Sequence, residues 1–216
     1  KVCIVCSLIW LLKVQLPLMN YKIIAFTGLP MVGKSTAREQ LESILDEKGI
    51  SHEYVHFGST EEVEHRNSEN LWSEEQNSWT MEQKERFVRE EWRAERGMGV
   101  MAEKMLPKIK SITDSGKLVI IDNMYSDEER HIIIEEFGDD NFLVIAVTAD
   151  WEVRVERASK REYRPLSAVE LKERDEAEIY NLHKAPTIAL AHFTFVNNGQ
   201  TKEELREDIK SRILKV

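Results

Sequence analysis

Ile23-Ile24-Ala25-Phe26-Thr27-Gly28-Leu29-Pro30-Met31-Val32-Gly33-Lys34-Ser35 is the stretch whose reading decides the fold. Its apolar first half reads as a buried strand. The spacing Gly-x-x-x-x-Gly-Lys-Ser follows, and behind it Ala37, Leu41, Ile44 and Leu45 recur on one face of a helix. Strand, glycine-containing loop and helix, in that order, give the spacing a physical meaning. Gly28 and Gly33 permit backbone angles that turn successive N–H groups inward as an anion nest. The helix that starts at Lys34 adds the positive end of its dipole. Met31, Val32, Gly33, Lys34, Ser35 and Thr36 then line a phosphate chain, with Lys34 reaching the β- and γ-phosphates and the Ser35 hydroxyl ligating Mg²⁺. The loop is therefore read as a site for ATP and Mg²⁺.

Outward from this stretch, short apolar runs alternate with amphipathic segments. The runs Lys22–Phe26, Glu53–Phe57, Leu118–Ile121, Phe142–Val147 and Phe193–Val196 are rich in β-branched and aromatic residues and predict five buried strands. Capping boxes predict helix starts at Thr80 with Gln83, Ser126 with Glu129, Ser167 with Glu170 and Thr201 with Glu204. Leu205, Ile209 and Ile213 line the last helix. Strands separated by helices imply an α/β protein with a parallel sheet covered on both faces. The third run ends in Asp122, a carboxylate suited to be the Mg²⁺ partner of the loop. Between the second and third runs the crossover is too long to be simple. Ser59 to Ser78 reads as polar and irregular, and Thr80 to Lys110 as a long helical pattern interrupted at Gly97-Met98-Gly99. The insertion predicts a flap beside the sheet, packed by Trp72, Trp79 and Trp92.

Two sets of arginines call for a partner. Arg154, Arg157 and Arg161 fall three and four residues apart, on one face of a helix that Asp150 can cap, and Arg164 stands just before Pro165. Such a patch repels itself unless anions meet it. Glu152, Glu156 and Glu162 offer a plain solvated face, but beside a phosphate loop the better reading is a lid closing guanidiniums over transferring phosphates. Arg174 with Asp175 joins that lid or forms a local ion pair. In the flap, Arg86, Arg89, Arg93 and Arg96 are diluted by Glu82, Glu85, Glu90, Glu91 and Glu95, so most read as surface pairs.

With 216 residues, 42% of them apolar and 32% charged, the chain can build one domain with a real core. A net charge of −9 disfavours a nucleic acid or an anionic membrane as partner and leaves a small-molecule nucleotide. Lys1 to Leu18 stands apart: it is apolar, carries both cysteines, Cys3 and Cys6, and is interrupted by Lys13. It is too short for a membrane span and ends without a small-residue cleavage site. The expectation is that Met19 is the natural start and that residues 1–18 are a non-native or upstream tail. Without the tail no cysteine remains, which fits a cytoplasmic protein without disulfides, a monomer or weak dimer.

The ordered set of motifs resembles the nucleoside-monophosphate kinase group of P-loop kinases, and within it the archaeal and bacterial proteins described as dephospho-coenzyme A kinase-like or AAA-type nucleotide kinases. The resemblance rests on Phe26-Thr27-Gly28-Leu29-Pro30 through Lys34-Ser35, Gly97 with Leu106-Pro107-Lys108-Ile109, and Val119-Ile120-Ile121-Asp122. It continues through Arg157-x-x-x-Arg161, Arg164-Pro165-Leu166, Glu173-Arg174-Asp175 and Val196-Asn197-Asn198-Gly199. It implies a P-loop three-layer sandwich over residues 19–216, with a five-stranded parallel sheet in order 2-3-1-4-5, an acceptor flap at 59–110 and a short lid at 157–167. By position, Arg93 resembles the flap arginine near the acceptor, Arg157 the lid arginine near the adenine, and Arg161 a phosphate clamp; Arg164 and Arg174 fall to the acceptor side. Met31 replaces a usually small residue, Asn123 follows Asp122 where many relatives have glycine, and Ser59 stands where relatives often carry aspartate.

The activity this implies is transfer of the ATP γ-phosphoryl group to a small phosphorylated acceptor. A nucleoside monophosphate offers an ionised oxygen and needs no base, whereas dephospho-coenzyme A offers a hydroxyl that benefits from one. Ser59 cannot be that base, and Glu61 or Glu62 would have to substitute. The reading therefore favours a nucleoside monophosphate, with dephospho-coenzyme A as the alternative and a non-catalytic nucleotide-binding regulator as the alternative of another class. A GTPase switch is disfavoured, since Asn123, Met124 and Tyr125 follow Asp122 where a switch glycine would stand.

Overall fold

In the computed structural model, which describes residues 21–162 and 165–214, the five predicted strands form one sheet. They are β1 (Ile23–Thr27), β2 (His52–His56), β3 (Leu118–Asp122), β4 (Phe142–Thr148) and β5 (Phe193–Val196). All neighbours are parallel, in the order β2-β3-β1-β4-β5. Each boundary lies within a residue of the apolar run that predicted it. β1 and β3 are buried at every position because they lie in the middle of the sheet, while the edge strands β2 and β5 are only partly covered.

The alternation of side chains along a strand divides the core in two. Ile24, Phe26, Ile120, Leu143, Ile145 and Val147 face helix α1 (Lys34–Glu47) and the C-terminal helix. The predicted stripe Ala37, Leu41, Ile44 and Leu45 is the buried face of α1. Truncating fully buried Leu41 to alanine would cost roughly 2–5 kcal/mol. Ile23, Ala25, Val119, Ile121, Phe142 and Val144 face the opposite layer, which includes the flap. The three-layer sandwich follows from these two faces. No helix among the described residues is long and apolar enough to cross a membrane.

The flap differs from expectation in its first half. Ser59 to Ser78 is not irregular: it holds α2 (Ser59–Ser68) and the single turn α3 (Glu74–Asn77). α3 opens with a fifth capping box, Ser73 with Gln76. α2 buries few side chains, Val63 its one fully buried apolar residue, so it has little periodicity to read. The expected helical pattern follows as α4 (Met81–Phe87), a π turn (Val88–Trp92) and α5 (Arg93–Arg96), then breaks at Gly97 before α6 (Val100–Asp114). Trp72 and Trp92 are buried, and Phe87 meets Trp72 and Trp79 edge-on at centroid distances of 5.9 and 5.7 Å. The Arg66 guanidinium lies 5.0–5.7 Å from the rings of Trp72, Phe87 and Trp92, a cation over the negative faces of an aromatic cluster. The tryptophans thus pack the flap.

The other elements follow the capping signals. They are α7 (Asp127–Phe137), α8 (Trp151–Ser159), α9 (Ala168–Glu176) with a π turn (Ala177–Asn181), α10 (Lys184–Ala189) and α11 (Lys202–Ile209). All four predicted capping boxes form. Asp150 holds the N-cap position of α8 without a side-chain cap. α8 ends at Ser159, so Arg161 is not on its face, and the expected three-arginine stripe does not exist. Residues 1–18 and Arg164 lie outside the described residues.

Candidate functional site

The loop between β1 and α1 takes its shape from close backbone approaches. Gly28 has φ 142°, and a Cβ there would stand 2.2 Å from the Val147 carbonyl oxygen of β4. Gly33 has φ 91° and is the N-cap of α1, so no side chain caps the N–H groups of the helix's first turn. Met31, with φ 65°, adopts the left-handed conformation without being glycine. Lys34 Nζ donates to the carbonyl oxygens of Gly28 and Leu29 at 2.8 and 3.0 Å. Burial of this ammonium, and then the nearby charge of Lys184, lowers its pKa to about 7. Ser35 is exposed, and Thr36 is half-buried.

Beside the loop, β3 delivers Asp122. Its Oδ2 receives the Tyr54 hydroxyl at 3.4 Å and lies 3.4 Å from Arg38 Nε; its Oδ1 is buried without a hydrogen-bond partner. Arg38 donates to Glu42 at 2.5 Å and lies over the Tyr54 ring at 4.6 Å. Tyr54 OH and His56 Nδ1 are 2.8 Å apart. Burial raises the pKa of Tyr54 and lowers that of His56.

A second cluster of charges is buried around Tyr125. Arg93 is fully buried: its Nη2 donates to the Phe57 carbonyl at 2.9 Å and to Glu129 Oε1 at 3.2 Å, while Nε and Nη1 have no partner. Glu129 Oε2 accepts the backbone N–H of Tyr125 at 2.7 Å. Arg93 and Lys184 both lie against the Tyr125 ring, at 4.6 and 4.0 Å from its centroid. Lys184 Nζ, also fully buried, donates to Glu178 Oε2 at 2.7 Å and to Asn123 Oδ1 at 3.3 Å. Arg174 Nε donates to Glu178 Oε1 at 3.3 Å. Burial pushes the Glu178 carboxyl up, but the charges of Lys184, Arg174 and Lys34 overcome it and bring its pKa to about 2. Asn123, at φ 64°, also donates to the Tyr125 hydroxyl at 2.8 Å. A buried set of opposite charges held by hydrogen bonds is expensive to build, and such sets concentrate at functional sites.

The sequence reading singled out Arg93, Arg174, Lys34 and Asp122 but missed Lys184, Glu178, Tyr125 and the role of Asn123. Glu178 lies in the π turn after α9, a local widening of the helix frequent at functional sites. Lys184 follows His183, which stands at φ 52°. No periodicity in the sequence marks either side chain as buried.

The arginines after β4 separate. Arg154 is buried and paired with Asp175 of α9, so it ties two helices together. Arg157 lies behind the phosphate loop, with Nη1 3.2 and 3.3 Å from the Met31 and Val32 carbonyl oxygens and Nη2 3.0 and 3.1 Å from the Asn197 carbonyl and Oδ1. Arg161 is exposed in the turn after α8. Ser59 is buried at the start of α2. Glu62 is taken up by Arg66 and Lys104, and Glu61 is half-buried.

Known proteins resemble this chain at three levels. A UPF0200/UPF0201 protein of Archaeoglobus fulgidus is 33% identical over 201 residues, covering 92% of this chain and 57% of the relative. A UPF0200 protein of Thermococcus kodakarensis is 28% identical over 123 residues, covering 56% of this chain and 65% of the relative. The chain therefore matches less than two thirds of the length of either. Among solved structures, the shikimate kinase of Acinetobacter baumannii has a TM-score of 0.52 at 17% identity, covering 91% of this chain and 94% of that one. The shikimate kinase of Bacteroides thetaiotaomicron has a TM-score of 0.53 at 15% identity, covering 90% and 98%. At such identities the likeness shows the fold, a P-loop kinase-like one. The family model described as AAA domain (AAA_18) matches residues 24–181. That match runs from the second residue of β1 to the end of the π turn after α9, well over half of the chain, and the chain belongs to the AAA domain family.

Proposed function

We propose that the chain is an ATP-dependent phosphotransferase whose acceptor is a small phosphorylated molecule, a nucleoside monophosphate. The observation that carries this reading is the juxtaposition of the 28–35 loop with the buried, unpartnered Oδ1 of Asp122. The donor set fits Mg·ATP. Gly28 to Thr36 would hold the phosphates, and the exposed Ser35 hydroxyl and Asp122 Oδ1 would hold the cation together with phosphate oxygens. When bound, Mg²⁺ supplies neutralisation of the charge on the β- and γ-oxygens. Lys34 turns from the Gly28 and Leu29 carbonyls to a phosphate oxygen, exchanging two neutral acceptors for a charged one.

On the acceptor side, residues 59–110 serve as the flap, and the two unpartnered nitrogens of Arg93, Nε and Nη1, suit an acceptor anion. Arg174 adds charge beside it. Of residues 157–167, the stretch beyond the end of α8 serves as the lid, with Arg161 as its exposed guanidinium. An ionised phosphate acceptor needs no base, which agrees with a serine at position 59 and with Glu62 being neutralised by Arg66 and Lys104. A screen of ADP release across nucleoside monophosphates, deoxynucleotides and dephospho-coenzyme A tests the reading. Turnover with a nucleoside monophosphate supports it; turnover with dephospho-coenzyme A alone replaces the acceptor, and no turnover with any of them removes the activity.

A further inference from the structure

The phosphate loop is held from behind by two side chains from distant parts of the chain. Arg157 comes from α8 and Asn197 from the residue after β5. Arg157 Nη1 bridges the carbonyl oxygens of Met31 and Val32, and Asn197 Nδ2 donates to the Val32 carbonyl at 2.9 Å. Arg157 Nη2 in turn donates to both oxygens of Asn197, so the two side chains form one bracket. Asn197 is buried, and its own N–H donates to the Thr148 carbonyl of β4 at 2.7 Å, which anchors the bracket to the sheet.

The consequence follows from peptide geometry. In a trans peptide the C=O and the next N–H point in opposite directions. Drawing the Met31 and Val32 oxygens towards the bracket turns the N–H groups of Val32 and Gly33 the other way, into the nest where phosphate oxygens belong. Met31 makes such a brace necessary. It is a non-glycine residue at φ 65°, a conformation that relaxes unless its surroundings enforce it. Gly33 completes the fit: a Cβ there would stand 2.2 Å from Asn197 Nδ2, so bracket and loop are matched at atomic contact.

We propose that Arg157 and Asn197 are positioning residues that preorganise the loop's N–H groups for a triphosphate, acting on the phosphate chain through the backbone and not on the adenine or the transferring phosphoryl group. This rests on the reading of residues 28–35 as a triphosphate site. Preorganised donors bind an anion without first ordering themselves, so their loss appears as lost phosphate affinity.

The test measures binding of Mg·ATP and of Mg·tripolyphosphate, which has no base, by calorimetry on the wild type and on Arg157→Ala, Arg157→Lys and Asn197→Ala, with a thermal melt of each. The expected result is a loss of tenfold or more in affinity for both ligands, by the same factor, in Arg157→Ala and Asn197→Ala. Arg157→Lys should recover only part, because an ammonium cannot span two carbonyls and Asn197 as a planar fork does. If ATP affinity falls while tripolyphosphate affinity stays, Arg157 acts on the base and the proposal is overturned. If affinity for both ligands stays within twofold, the bracket is idle and the proposal is equally overturned. A wild type that binds ATP but not tripolyphosphate would instead overturn the assignment of the loop itself, and the proposal with it. Should Arg157→Ala not fold, Arg157→Lys and Asn197→Ala carry the comparison with the same outcomes.

Discussion

Lys184 Nζ lies 2.7 Å from Glu178 Oε2, and both side chains are closed to solvent. The pair joins the turn after α9 to the start of α10, and its ammonium lies over the Tyr125 ring. Breaking such a pair leaves one charge buried alone, which costs far more than the intact pair contributes.

Glu178→Gln should therefore destabilise the protein by about 3–5 kcal/mol at neutral pH. The effect should depend on pH in a set direction. The Glu178 carboxyl has a folded pKa of about 2 against an ordinary value of 4.5. Between these values the unfolded state binds the extra proton, so stability rises with pH in this window. The contribution is complete above pH 4.5 and is lost as pH falls through 2. Denaturant unfolding at several pH values should show the gap between wild type and Glu178→Gln narrowing by about 3 kcal/mol across it. A gap that stays constant from pH 5 to 2 would show that the carboxyl is not held ionised.

Lys34→Ala should lower phosphoryl transfer by about a hundredfold or more while leaving the melting temperature nearly unchanged. Its present partners are two loop carbonyls, not a buried carboxylate, so truncation strands no charge. An ADP-release assay paired with a thermal melt checks both halves. Near-normal turnover in a folded variant would remove the phosphate-loop assignment.

Asp122→Asn should raise the Mg²⁺ concentration needed for half-maximal turnover, because an amide is a poorer ligand than a carboxylate. The expected shift is on the order of tenfold, the scale on which changed metal-site partners act. A Mg²⁺ titration at saturating ATP gives the answer. An unchanged midpoint would assign Asp122 to holding Arg38 and Tyr54 alone.

Arg154→Ala and Arg161→Ala should separate stability from catalysis. Arg154 is buried against Asp175, so its loss should lower the melting temperature by several degrees. Turnover per folded molecule should change little. Arg161 is exposed beyond the end of α8, so its loss should leave the melt unchanged and lower kcat by tenfold or more. If Arg161→Ala keeps full kcat, the exposed guanidinium is a solvated surface charge.

What the sequence determined by itself was whatever is encoded within a few residues. The five strands were legible because central strands of a parallel sheet are buried on both faces and read as unbroken β-branched runs, as in Leu118 to Ile121. Helix starts were legible because a capping box closes within four residues, as at Ser126 with Glu129. The anion loop was legible because its glycines, lysine and serine are contiguous. The tertiary structure decided everything that depends on a partner from another element. Arg154 and Arg157 are three residues apart on one helix, yet one is buried against α9 and the other braces the phosphate loop. Lys184 and Asn123 are separated by 61 residues and meet beside Tyr125. The physical reason is that backbone hydrogen bonding and apolar periodicity are local, whereas a buried charge is tolerated only where the fold delivers its counter-charge, as it does for Arg154 with Asp175 and Arg93 with Glu129, 21 and 36 residues apart.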